Sequence, residues 1–133
     1  MAMTEMRMDE FLNELSSKAA VPGGGGASGY AAALGMALGT MVANLTTGKK
    51  KYAEYQEEIE DIIDKSQILT RELAEFMDKD AESFEPLSKA YGLPKDTEEQ
   101  IQEKDRIMEA ALIDASKTPL ELMEKIYESM LIL

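Results

Sequence analysis

The sequence predicts an all-α protein, a bundle of about five helices built around one long central helix. Three observations carry that reading. Apolar residues recur at three- and four-residue spacing, helix-start chemistry precedes the later segments, and no stretch alternates apolar with polar residues as a half-buried strand would. The 133 residues are read as a single domain, 1–133, long enough to bury a core without disulfides.

From Thr4 to Ala20, apolar side chains at Met8, Phe11, Leu12 and Leu15 fall on one helical face, with Thr4 available as N-cap. That helix must stop before Pro22. The run Pro22-Gly23-Gly24-Gly25-Gly26 then permits a tight reversal. From Ala27 to Leu45 the nineteen residues carry no charge, and Ala31, Gly35, Gly39 and Ala43 recur every four positions. A membrane span needs about twenty apolar residues, which raises that reading. Only Leu34, Met36, Leu38, Met41, Val42 and Leu45 are strongly apolar, however, and Ser, Thr, Asn and Gly dilute the rest. A helix buried on most sides within the bundle fits better, so no membrane partner is expected. Its Gly-xxx-Gly face then serves close approach of another backbone, such as that of a symmetric homodimer.

Beyond Lys49-Lys50-Lys51, the residues Tyr52, Tyr55, Ile59, Ile62, Leu69, Leu73 and Phe76 form a heptad-like seam that continues to Phe84, Leu87 and Tyr91. Forty such residues predict a helix of about 60 Å, kinked in its last turns by Pro86. Ser66 and Asp80 interrupt the seam, and Gly92-Leu93-Pro94 ends it. Thr97-Glu98-Glu99-Gln100 has capping-box spacing and opens a fourth helix that buries Ile101, Met108, Leu112 and Ala115. Thr118-Pro119-Leu120-Glu121 repeats the signal, with Pro at the first helical position, for a fifth that buries Leu120, Met123, Ile126, Tyr127 and Met130. The last residues, Leu131-Ile132-Leu133, lack a C-cap and a polar end. The expectation is that natural sequence continues beyond them or that a partner covers them.

Composition narrows the chemistry. There is no Cys and no His, which removes thiolate chemistry, the usual general base and the commonest nitrogen ligand for zinc. Catalysis must rest on carboxylates, lysines, tyrosines or backbone dipoles, and no metal site is read. A net charge of -12 argues against a nucleic-acid partner. The charge is uneven: residues 1–51 hold five Lys/Arg against four Asp/Glu, whereas residues 52–133 hold nine against twenty-two. An anion site is therefore confined to the first half. No basic segment precedes an apolar core and cleavage site, so a cytoplasmic location is expected.

Three features could carry a site. Gly24-Gly25-Gly26-Ala27-Ser28-Gly29 satisfies G-x-G-x-x-G, but a helix precedes it and no βαβ unit follows, so the dinucleotide fingerprint fails. What remains open is a helix reversal, or a set of exposed amides that meets an anion or ligand at close range. Lys49, Lys50 and Lys51 read either as a solvated turn complementing a helix C-terminus or as a hold for a ligand carboxylate. Asp80 is a carboxylate on an apolar seam. It is either held in a functional site by hydrogen bonds or, as the seam drifts, released to water beside Lys79.

The run PGGGGASGYAAALGMALGTMVANLTTGKKKY, followed by DKDAESF and TPLELME, resembles the cyclodeaminase/cyclohydrolase family of one-carbon folate metabolism. The resemblance covers the chain from Met8 onward. It implies an all-α fold that dimerises and a tetrahydrofolate derivative as substrate, with no separate cofactor. It further implies formiminotetrahydrofolate cyclodeaminase or methenyltetrahydrofolate cyclohydrolase activity at the carbon between N5 and N10. In such a site Asp80, matched through the D-A-x-x-F pattern of Asp80, Ala81 and Phe84, takes the catalytic role. Gly23, Gly24, Gly25 and Gly26 form a close-approach wall, and Lys49, Lys50 and Lys51 hold the glutamate tail. Family domains continue through further helices after the TPLELME segment, so the alternative is a truncated, non-catalytic helical module that dimerises.

Overall fold

The structure, a computed structural model, describes residues 2–133. Among them there are four α-helices and no strand: α1 (Met8–Leu15), α2 (Gly24–Thr46), α3 (Gln56–Tyr91) and α4 (Glu98–Ile132), with 3-10 turns at Met3–Glu5 and Lys50–Tyr55. The all-α class is as predicted, with four helices in place of about five.

The difference lies at Thr118-Pro119. α4 runs through Pro119 without a break, although an interior proline loses one backbone bond and costs about 3 kcal/mol. Burial on both sides outweighs that cost. Before the proline Ala111 packs with Leu87 and Ala90 of α3. After it Leu122 joins Leu69, Leu73 and Phe76, and each large apolar side chain so buried contributes about 1.5–3 kcal/mol. The true start of α4 is the first capping box, where the Thr97 hydroxyl accepts from Gln100 N at 3.2 Å and Gln100 Oε1 accepts from Thr97 N at 3.2 Å. α4 presents a single stripe, centred on Ala111, Leu122 and Ser129, because α3 is its main neighbour. Ile101, Leu112, Leu120, Met123, Tyr127 and Met130, expected inside, are exposed.

α1 is shorter than its pattern. Its N-cap position is Arg7 rather than Thr4, and Glu10 accepts from the Arg7 amide at 3.2 Å. It ends at Leu15 because the Ser16 and Ser17 hydroxyls donate back to Asn13 O and Glu14 O, competing with further helical turns. Only Phe11 of its apolar set is buried; its ring lies 5.8 Å from that of Tyr30. The peptide bond before Pro22 is cis, and Pro22 is buried.

α2 and α3 form the most extensive contact of the fold. The buried residues of α2 are Gly26, Gly29, Ala33, Met36 and Thr40, one face at three- and four-residue spacing, of which Gly26, Gly29, Ala33 and Met36 pack on α3. The Ala31, Gly35, Gly39, Ala43 row is not that face: Gly35 has open space beside it, and only Gly39 is tightly packed, against Leu133. Nor is α2 buried on most sides, since Leu34, Leu38, Met41, Val42 and Leu45 are each at least half exposed. By length and composition α2 is long and apolar enough to cross a membrane. In this fold its inner face is the floor on which α3 packs.

α3 continues past Pro86 to Tyr91. Ile59, Leu69, Leu73, Phe76 and Leu87 of its predicted seam are buried, while Tyr55 and Tyr91 are exposed. Its C-terminal carbonyls are closed by Lys104 of α4, whose ammonium donates to Tyr91 O at 2.8 Å and Leu93 O at 2.9 Å, the favourable placement for a cation.

Candidate functional site

The first turn of a helix leaves backbone amides without intrahelical acceptors. In α2 those are the amides of Gly24, Gly25 and Gly26, preceded by Gly23, which has no side chain to cap them. The missing acceptor comes from 54 residues away: Asp80 Oδ2 accepts from Gly26 N at 3.2 Å. Helix packing delivers it. Positions for a Cβ on Gly26 and Gly29 lie 3.7 Å from the Met77 backbone and 2.9 Å from Leu73 O, so the two helices run antiparallel in close contact. One turn beyond Met77, Asp80 stands over the start of α2. A carboxylate there is stabilised by the amides and by the helix dipole.

The neighbours of Asp80 turn elsewhere. Asp78 Oδ1 accepts from Met3 N at 2.9 Å and tethers the N-terminal segment. Lys79 lies 4.9 Å from the Phe76 ring centroid and 3.5 Å from Glu121. Asp80 itself is half-buried, and its carbonyl accepts from Ser83 Oγ at 3.1 Å. Asp80 is thus hydrogen-bonded and half-buried rather than released fully to water. Gly24, at the same corner, is exposed with nothing within 4 Å of a Cβ. The corner thus combines a fixed carboxylate, able to take a proton or face a cation, with backbone amides approachable without a side chain intervening.

Asp80 and the Gly turn are brought together; the lysines are not. Lys49, Lys50 and Lys51 follow the opposite end of α2, and a helix of 23 residues is about 35 Å long. All three are exposed, and Lys51 sits 5.4 Å from the Tyr52 ring centroid. Within one chain they do not reach a small ligand at Asp80.

Sequence reasoning missed two participants. The tether from Asp78 had no pattern to announce it. Gly29 did have a signal, the spacing of Gly26, Gly29, Ala33 and Met36, which marks the contact face more faithfully than the every-fourth row. An acidic groove of about 490 Å³ lies between α3 and α4. There Lys125 pairs with Glu72 at 2.8 Å and Glu128 at 3.5 Å, and Glu72 above all holds the ammonium above the ordinary lysine range. Among the described residues, no group of three or more carboxylates is arranged to hold a metal ion.

The chain is thus all-helical, with a carboxylate fastened across a glycine turn as its His-free candidate site. The model of the formiminotransferase-cyclodeaminase family matches residues 7–133, and the chain belongs to that family. It is 42% identical over 113 residues to a methenyltetrahydrofolate cyclohydrolase of Methylorubrum extorquens, an alignment covering 85% of the chain and 54% of the relative. It is 32% and 30% identical over 116 residues to the formimidoyltransferase-cyclodeaminases of Sus scrofa and Mus musculus, covering 87% of the chain and 21% of each relative. The chain therefore spans about half the length of the first of these relatives and about a fifth of the others.

Proposed function

We propose that the chain acts in one-carbon folate metabolism at the N5/N10 carbon of a tetrahydrofolate, as a methenyltetrahydrofolate cyclohydrolase or a formiminotetrahydrofolate cyclodeaminase. The observation that carries this is the Asp80 carboxylate held at 3.2 Å on Gly26 N at an open glycine corner. The 42% identity to a cyclohydrolase favours the hydrolytic reaction. In that reaction water adds to the methenyl carbon, the bond from that carbon to N5 breaks, and 10-formyltetrahydrofolate forms with release of one proton. In the deaminase, N10 attacks the formimino carbon, one proton is taken up, and ammonia leaves as the methenyl cation forms.

Both reactions pass through a cationic centre flanked by two nitrogens and require proton transfer. Asp80 serves both needs, stabilising the cation and accepting a proton from the attacking group. Gly23, Gly24, Gly25 and Gly26 let the flat ligand approach the backbone.

The exposed face of α2 carried by Leu34, Leu38, Val42 and Leu45 is the proposed seat of a second copy. A two-fold axis through the middle of α2 would set the two copies of that helix antiparallel, placing Lys49, Lys50 and Lys51 of one beside the Gly turn of the other. In that arrangement the lysines hold the ligand's glutamate carboxylates.

The test is turnover of 5,10-methenyltetrahydrofolate and of 5-formiminotetrahydrofolate by the chain and by Asp80→Asn, with ammonia measured separately. Asn keeps an acceptor for Gly26 N, so the fold should persist while turnover falls about 100-fold or more. Undiminished turnover in Asp80→Asn would remove that residue from the chemistry.

A further inference from the structure

A groove of about 640 Å³ runs between α2 and α3 on a face away from the Gly turn. α2 contributes Ala37, Thr40, Met41 and Asn44, and α3 contributes Gln67, Thr70 and Arg71, the Thr70 hydroxyl donating to Ser66 O at 2.8 Å. In a chain with 26 carboxylate side chains, none lines it, and the only charge is the Arg71 guanidinium. The other two arginines engage their own carboxylates, Arg7 with Asp9 and Arg106 with Glu103. Among the described residues, no hydrogen bond or ion pair engages the side chain of Arg71 or Gln67, even though Glu75 stands one turn beyond Arg71 on α3 and lines the acidic groove instead.

The polar groups divide by position. The Thr40 hydroxyl donates to Met36 O at 3.0 Å and Asn44 Nδ2 donates to Thr40 O at 3.1 Å. The threonine's hydrogen is thereby spent on its own helix, and the asparagine amide is fixed with its carbonyl oxygen left as an acceptor. Because the helices are antiparallel, Ala37 lies toward Arg71 and Asn44 toward Gln67. The groove offers a guanidinium fork at one end and an amide pair at the other. Thr40, Met41 and Thr70 lie between them. Gln67 and Arg71 are one turn apart, about 6 Å along the axis.

We infer that this groove binds a flat aromatic carboxylate bearing a hydrogen-bonding group opposite the carboxylate. Arg71 takes the carboxylate in bidentate fashion. The ring lies on Met41 and Thr40, and Gln67 with Asn44 meets the amino or hydroxyl group across it. The inference stands on the groove and is independent of the Asp80 reading.

The probe is 4-aminobenzoate, titrated into the full chain and followed by backbone and side-chain amide resonances. The expected result is saturable shifts at Asn44, Gln67 and Arg71, with affinity reduced at least tenfold in Arg71→Gln. Binding by benzamide, which lacks the carboxylate, should be absent. Gln67→Leu should erase the preference for 4-aminobenzoate over benzoate while leaving benzoate binding unchanged. Arg71 and Gln67 are exposed, and circular dichroism confirms that each variant is folded. No saturation at millimolar probe, equal binding by Arg71→Gln, or shifts centred on Lys49, Lys50 and Lys51 would each overturn the inference.

Discussion

Gly25 and Asp80 fit one another as a side-chain-free position and the group that fills it. A Cβ on Gly25 would stand 2.5 Å from Cγ and 2.7 Å from Oδ2 of Asp80. The carboxylate therefore reaches the Gly26 amide only because Gly25 has no side chain. Gly25→Ala is expected to push the carboxylate off the amide, lower stability by about 1 kcal/mol as for a lost helix cap, and reduce folate turnover. Gly24→Ala, with open space around its Cβ, should leave stability intact or raise it by about 0.4–1 kcal/mol, while its methyl, standing in the proposed ligand wall, lowers turnover. Thermal unfolding of the two variants decides the matter; equal losses of stability would show that the turn needs glycine at every position rather than at this contact.

A second pair of glycines separates the packing face of α2 from the row first read in the sequence. At Gly29 an added Cβ would lie 2.9 Å from Leu73 O and 3.2 Å from Phe76 Cβ. Backbone cannot yield cheaply, so Gly29→Ala should destabilise the chain by about 1–3 kcal/mol. At Gly35 nothing lies within 4 Å, and Gly35→Ala in mid-helix should stabilise it by about 0.5–1 kcal/mol. Urea unfolding of the dilute chain measures both, and a destabilised Gly35→Ala would contradict the assignment of faces.

What was legible in the sequence follows from range. The uncharged helix and the Thr97 start are local signals that stand where their residues placed them, whereas the glycine reversal is shorter than its run: α2 begins at Gly24, so Gly24, Gly25 and Gly26 form its first turn. Asp80 was legible as a carboxylate on an apolar seam, but its acceptor role was not, because Gly26 is 54 residues away. The lysines read as site residues because an acidic chain offers few cations. Only the run of α2 shows that they stand at its other end. The faces of α4 were misread by a position because its pattern was divided at Pro119, and tertiary burial, not capping chemistry, decides whether a helix passes a proline.

The two threonine signals of α4 can be compared directly. Thr97 accepts from Gln100 N at 3.2 Å, so Thr97→Ala should cost about 1 kcal/mol. Thr118 lies inside the helix and caps nothing. Thr118→Ala should change stability by no more than about 0.5 kcal/mol. Denaturant midpoints at constant slope report both, and an equal cost at Thr118 would mean that α4 is in fact two helices.

The outer face of α2 gives an outcome in association. Leu38 and Leu45 are 59% and 63% exposed, too much apolar surface on one charge-free helix to stay solvated at high concentration. Sedimentation should show concentration-dependent self-association that Leu38→Glu with Leu45→Lys abolishes, leaving helicity unchanged. A chain that remains monomeric throughout would remove the second copy from the proposed site.

Ser66 offers the last test, in the core. It is fully buried on α3, and its Oγ has no hydrogen-bond partner, whereas the neighbouring Thr70 hydroxyl is satisfied by Ser66 O at 2.8 Å. An unpaired buried hydroxyl costs about 1–3 kcal/mol. Alanine removes that oxygen and with it the cost, leaving only a hydroxyl-sized space. Ser66 also borders a mostly apolar cavity of about 290 Å³ that includes Gly39, Ala43, Ile59 and Ile62, and the Thr46 hydroxyl on its wall already donates to Val42 O at 2.8 Å, so relaxation around alanine leaves no polar group unpaired. Ser66→Ala is expected to raise stability by about 1 kcal/mol, read as a higher urea midpoint at unchanged slope. A loss of similar size would show that the hydroxyl does find a partner in solution, such as a carbonyl one turn back on α3.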